Sequence, residues 1–252
     1  MSDLNNYIAT QNECVPRLPL CHTFKGRDLS SIIASEKIQT SDCPVFNEPL
    51  AYFFYGKPAY RVSSGKEATS DPVYMPVCFV LSPDAVDNPT RIAAFDTGAF
   101  SRGLFLNKIN FKGTVADFLL KPSMDMPARL VSAFYKSNWH YFYGKPVSSI
   151  SSRCVAIRCY HDLISDKSPS PYDDRCETVE IQIDKFLELN KERVLMVILP
   201  QELMDHENIK RTITRVWKAK LKTYTIYRAN PIEFTSFIYD KVSEFLKRNT
   251  FF

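Results

Sequence analysis

Glycine is scarce in this chain, 7 residues of 252 against 16 prolines, which excludes flexible low-complexity linkers; with 18 Phe and 13 Tyr, it points to a packed, aromatic interior. No stretch approaches the ~18 apolar residues that a membrane span needs. The opening MSDLNNYIATQNE is too polar for a signal peptide, so the expectation is a cytoplasmic protein with no membrane partner. Seven cysteines, at 14, 21, 43, 78, 154, 159 and 176, contain no CxxC pair. Neither a disulfide framework nor a zinc ribbon is indicated, and the thiols are expected to be reduced and mostly buried. The histidines at 22, 140, 161 and 206 are too dispersed for a ligand spacing, so no metal site is expected. GxxxxGK[ST], GxGxxG after a strand, HExxH and GxSxG are all missing. Their absence argues against a P-loop NTPase, a Rossmann dehydrogenase, a zincin and a lipase-like hydrolase.

What is present suits one domain spanning 1–252, with enough apolar sequence for a sizeable core. Strand patterns fall at Leu18–Phe24, Leu50–Tyr55, Met75–Leu81, Ile92–Phe95, Cys154–Arg158, Thr178–Ile183, Val194–Leu199 and Thr223–Tyr227. Helical spacing follows Gly26-Arg27-Asp28, and recurs at Thr114–Leu120, Pro127–Tyr135, Glu207–Ala219 and Pro231–Arg248, the last with Asn230 as N-cap. The middle of the chain, about 112–140, reads as a helical insertion. Strands and helices do not alternate regularly, so α+β is favoured over a doubly wound parallel sheet. The pentapeptide FYGKP occurs at Phe54–Pro58 and again at Phe142–Pro146, too short to mark a structural repeat.

Three separated pieces carry chemistry: His22-Thr23 on the first strand, the aromatic run Tyr52 to Tyr55 leading through Gly56-Lys57-Pro58-Ala59 to Tyr60-Arg61, and Glu180 within VEIQI. In this order they resemble the ADP-ribosyltransferase superfamily, and among its members the DarT-type nucleic-acid ADP-ribosyltransferases. His22-Thr23-Phe24 followed by Leu29-Ser30-Ser31-Ile32-Ile33 is similar to that group's His-x-Thr motif and the helix after it, although here no residue separates His22 from Thr23. Lys57 stands where the group has arginine, with Arg61 as the alternative.

The resemblance implies a split β-sheet with flanking helices that clamps NAD as substrate. It also implies a macromolecular acceptor, nucleic acid or protein, a toxin or antiviral-defence setting, and a neutralising partner. Breaking the bond from nicotinamide to ribose builds positive charge on the sugar, which a carboxylate stabilises; Glu180 is the candidate. His22 and Thr23 would hold the nucleotide, Tyr55 or Tyr60 would pack the nicotinamide, and Lys57 or Arg61 would meet the pyrophosphate. An NAD glycohydrolase on the same site, or a binding module without turnover, are the alternatives.

Ordinary readings compete with each of these. His22 could be a structural histidine, most of the aromatic strand is core, and Thr178, Glu180 and Gln182 share one strand face that solvent could cover. Asp96-Thr97-Gly98 matches the aspartic-protease triplet, but no second triplet supplies the partner aspartate, so a turn is expected. The formal charge of +4 and the basic run from Lys210 to Lys222 fit a solvated face, with nucleic-acid contact as the lesser reading.

Overall fold

The computed structural model describes residues 2–61, 67–105, 113–168 and 173–252. The chain reads as a polar turn at 62–72 and as a polar loop from Ser165 to Asp174; these and the start of the insertion at about 112 fall partly outside the described residues.

Eleven strands follow in chain order: β1 Leu20–Lys25, β2 Lys37–Ile38, β3 Ser41–Cys43, β4 Glu48–Tyr55, β5 Pro76–Leu81, β6 Arg91–Ala93, β7 Leu119–Leu120, β8 Glu180–Ile183, β9 Leu187–Glu188, β10 Val194–Pro200 and β11 Lys220–Tyr224. Among the described residues nine of them form one mixed sheet in the order β11-β10-β5-β1-β4-β8-β6-β7, with β3 added alongside β4. Among the described residues only the β10–β11 pair is parallel. The helices are α1 Asp3–Ala9, α2 Gly26–Ser35, α3 Thr97–Ser101, α4 Met126–Tyr135, α5 Asn138–Phe142, α6 Val155–Ser165, α7 Glu207–Arg211 and α8 Thr235–Arg248. The chain is therefore mixed α and β, with a multi-stranded sheet and flanking helices.

The central strands are buried on both faces, which is why β5 and β10 read as unbroken apolar runs and not as alternating ones. The insertion is less helical than its spacing suggests. Val115–Phe118 makes only a 3-10 turn and then hands the chain to β7, while α4 keeps Leu130, Val131 and Phe134 in the core. Cys154–Arg158, expected as a strand, is instead the start of α6. Its apolar pattern continues at helical spacing through Cys159, Tyr160, Leu163 and Ile164, all buried, and a five-residue window hides that period. Glu207–Ala219 is helical only as far as Arg211 before a π turn, and the edge strand begins at Lys220, three residues early.

Two ladders around β4 end in side chains. β1 pairs with β5 along all six residues but with β4 only through Leu20–Tyr55 and Cys21–Phe54. Beyond that the strands part, and the His22 ring stands between them with Nδ1 2.8 Å from the Tyr52 carbonyl. On the other edge of β4 the Tyr141 hydroxyl donates to the Tyr55 carbonyl at 3.0 Å and accepts from the Val179 amide at 3.1 Å.

The two FYGKP copies share a left-handed glycine but not the backbone before it, which is strand at Phe54–Tyr55 and helix at Phe142. Gly56 and Gly144 both have left-handed backbone, at φ +68° and +57°, and both copies border Glu177: Lys57 pairs with it, and a Cβ on Gly144 would sit 2.6 Å from its Oε1. At Gly56 a Cβ would come within 2.5 Å of the buried Leu18 side chain. Gly56→Ala therefore combines backbone strain with overpacking and is expected to cost about 1–3 kcal/mol, read from urea denaturation.

Candidate functional site

The parting of β1 from β4 opens a groove with two adjoining lobes. Ser41, Tyr52, Phe54 and Tyr60 line both. One lobe, about 350 Å³, includes His22 and Thr23; the other, about 290 Å³, includes Cys43, Asp96, Thr97 and Glu180. Register explains the floor: Phe54 lies opposite Glu180 and Tyr52 opposite Gln182, while β6 places Ala93 and Arg91 against the same two residues. These side chains therefore share one face of the sheet.

Glu180 is only 1% exposed, and solvent does not cover its face of the strand. The Thr97 amide donates to Oε2 at 2.7 Å, the Thr97 hydroxyl donates to Oε1 at 3.1 Å, and the Gln182 amide also donates to Oε1. Gln182 in turn accepts from Arg91 at 2.8 Å, whose other guanidinium nitrogen pairs with Glu48 at 2.7 Å. Even so, burial pushes the Glu180 carboxyl up to about 8, and the nearby Asp96 charge adds to the shift. The hydrogen bonds from Gln182 and Thr97 pull the other way without cancelling it.

His22 is driven in the opposite direction. Burial lowers the imidazole to about 4, so it is neutral near pH 7. Because a carbonyl can only accept, Nδ1 carries the proton towards Tyr52, leaving Nε2 as the ring's acceptor. Thr23, 6% exposed in the same lobe, has a hydroxyl with no hydrogen-bond partner among the described residues. Tyr60 is 44% exposed and spans both lobes.

The remaining expected residues lie elsewhere. Tyr55 points to the opposite face of β4, where its hydroxyl accepts from the Leu18 amide at 2.9 Å and its ring lies near Tyr141. Lys57 is buried in an ion pair with Glu177 at 2.9 Å, its ammonium 4.8 Å above the Tyr141 ring. Arg61 is held by Asp174, by Asp173 at 3.6 Å and by the Ala59 carbonyl at 2.6 Å. The groove's cations are Lys25 and Arg27 at the His22 end and Arg102 and Arg175 at the Glu180 end. From the aromatic run Tyr52 to Tyr55 the sequence singles out Tyr55, whereas Tyr52 and Phe54 are the members that line the groove, and Asp96-Thr97-Gly98 is read only as a turn. It is the start of α3, where Asp96 is the N-cap and accepts from the Ala99 amide at 2.7 Å, and this first helical turn also grips Glu180.

No protein-family model matches the chain, and a search of the curated proteins returns no significant match.

Two expectations follow from this geometry. Removing Lys57 strands a buried Glu177, so Lys57→Met should cost about 3–5 kcal/mol in urea denaturation, with much of the loss recovered by adding Glu177→Gln. Folded Glu180 keeps a proton that the unfolded chain sheds, so its contribution to stability is whole below pH 4.5, the ordinary glutamate value, and is lost as pH rises to about 8. The urea midpoint of the wild type should fall across that window, whereas Glu180→Gln should flatten the decline.

Proposed function

We propose that this protein is an NAD-dependent ADP-ribosyltransferase that releases nicotinamide and transfers ADP-ribose to a macromolecule, with nucleic acid favoured over protein as acceptor. The observation that carries the reading is the convergence of His22 and Glu180 on adjoining lobes of one groove, joined by Tyr52, Phe54 and Tyr60. The mildly basic balance, pI near 8.6, supports the choice of acceptor.

The residues divide the work as follows. Neutral His22 offers an acceptor nitrogen, and Thr23 an unpartnered hydroxyl, to ribose hydroxyls. The aromatic side chains at the lobe junction take the nicotinamide ring, and the groove's arginines and Lys25 take the pyrophosphate charge in place of Lys57 and Arg61. Glu180 in its ionised form stabilises the cationic sugar and accepts the proton of the incoming nucleophile. Burial strengthens that attraction, because little water competes with the carboxylate.

Glu180→Gln preserves size and one acceptor oxygen while removing the charge. Nicotinamide release from NAD should drop by about 10²–10⁴-fold, with NAD affinity near wild type and a cooperative unfolding transition retained. Release assayed with DNA, RNA, protein or no acceptor identifies the acceptor, and full release in the absence of any would assign the glycohydrolase activity. Undiminished transfer by Glu180→Gln would remove Glu180 from the chemistry.

A further inference from the structure

The groove floor holds a second carboxylate that the proposed chemistry does not use. Asp96, 7% exposed, lines the same lobe as Glu180. Both are gripped by one turn: the Thr97 amide donates to Glu180 at 2.7 Å, and two residues on the Ala99 amide donates to Asp96 at 2.7 Å. The Asp96 amide is tied to the Arg175 carbonyl at 3.0 Å, which fixes the turn against the segment leading into β8. Two nearly buried acids thus line one lobe and are held by the same stretch of backbone.

Positive charge around them is mostly committed. Arg175 is paired with Asp173 at 2.8 Å, and Arg91 reaches Glu180 only through Gln182 while bonded to Glu48. Arg102 lines the lobe from the end of α3. Beside the upward push of burial, Arg175 despite its pairing still pulls Asp96 down, while Asp173 pushes it up. The other titratable groups facing the pair are Tyr52 from β4, Cys43 and Asp42 from β3, and Tyr60, and none of these is a cation.

We infer that Asp96 and Glu180 form one coupled carboxylate pair across the lobe, so that Asp96 is a positioning residue setting when Glu180 is ionised. Two like charges on nearly buried side chains of one lobe resist ionising together, and each loss of a proton raises the cost of the next. Both carboxyls are shifted upward, Asp96 by burial and Glu180 by burial with Asp96 as its second cause. The catalytic part of the inference rests on the ADP-ribosyltransferase reading; the pair itself does not.

The test is a 13C NMR titration of the side-chain carboxyls in the full chain, run on the wild type and on Asp96→Asn, which keeps an N-cap oxygen and removes the charge. In the wild type, the Asp96 and Glu180 signals should follow the same two steps, a measurement that needs no variant. In Asp96→Asn the Glu180 midpoint should fall by roughly one pH unit or more, and nicotinamide release should extend to correspondingly lower pH with KM for NAD little changed. Independent single-step titrations in the wild type, or a Glu180 midpoint that Asp96→Asn leaves in place, would overturn the pair. Coupled steps without nicotinamide release at any pH would uphold the pair and sink the NAD reading instead.

Discussion

The groove floor is arranged around the burial of one carboxylate. A glutamate at 1% exposure is tolerable only with donors on its oxygens, and Thr97 and Gln182 provide them. Each donor has its own support. Gln182 is oriented by Arg91 and Glu48, whose guanidinium also lies 3.6 Å from the centre of the Phe46 ring, while Thr97 is fixed by a turn tied to Arg175. The chain of partners runs across β8, β6 and β4, so the sheet register and the ionisation of Glu180 are parts of the same problem. It is satisfied incompletely: the carboxyl remains displaced upward to about 8, because burial outweighs the hydrogen bonds its donors supply.

Much of the fold was legible because the relevant signals are local. The runs around Cys21, Phe53, Phe79 and Val197 are strands on composition alone, and Asn230 announces the C-terminal helical segment through its capping box. α6 was not legible as a helix from Cys154–Arg158, because its β-branched opening has strand character and its period emerges only over three turns. The site divides in the same way. His22, Thr23, Tyr60 and Glu180 were singled out by residue type and order, and they do line the groove.

Tyr55 and Lys57 show what a single sequence withholds. Which tyrosine of the aromatic strand faces the groove depends on parity, and parity depends on β4 lying with Phe54 opposite Glu180, a relation between segments more than a hundred residues apart. The fate of Lys57 is decided by Glu177, 120 positions away, and by the Tyr141 ring above it. A motif read along the chain offers a lysine after a glycine; the folded chain spends that lysine on an internal acid. Asp96 presents the converse case. Its turn was correctly read, but nothing local reveals that the turn is pressed against a glutamate 84 residues later.

The His22 ring has a mechanical meaning beyond its chemistry. Standing between β1 and β4, hydrogen-bonded to one strand and packed near the Phe24 and Phe53 rings at 5.4 and 5.5 Å, it acts as a spacer with a tether. Closing the groove would crush an aromatic ring against its neighbours, and widening it would break a buried hydrogen bond. The gauge of the groove is therefore set before anything enters it. A ligand of matching width meets little reorganisation cost, and a bulkier one is turned away by the scaffold itself.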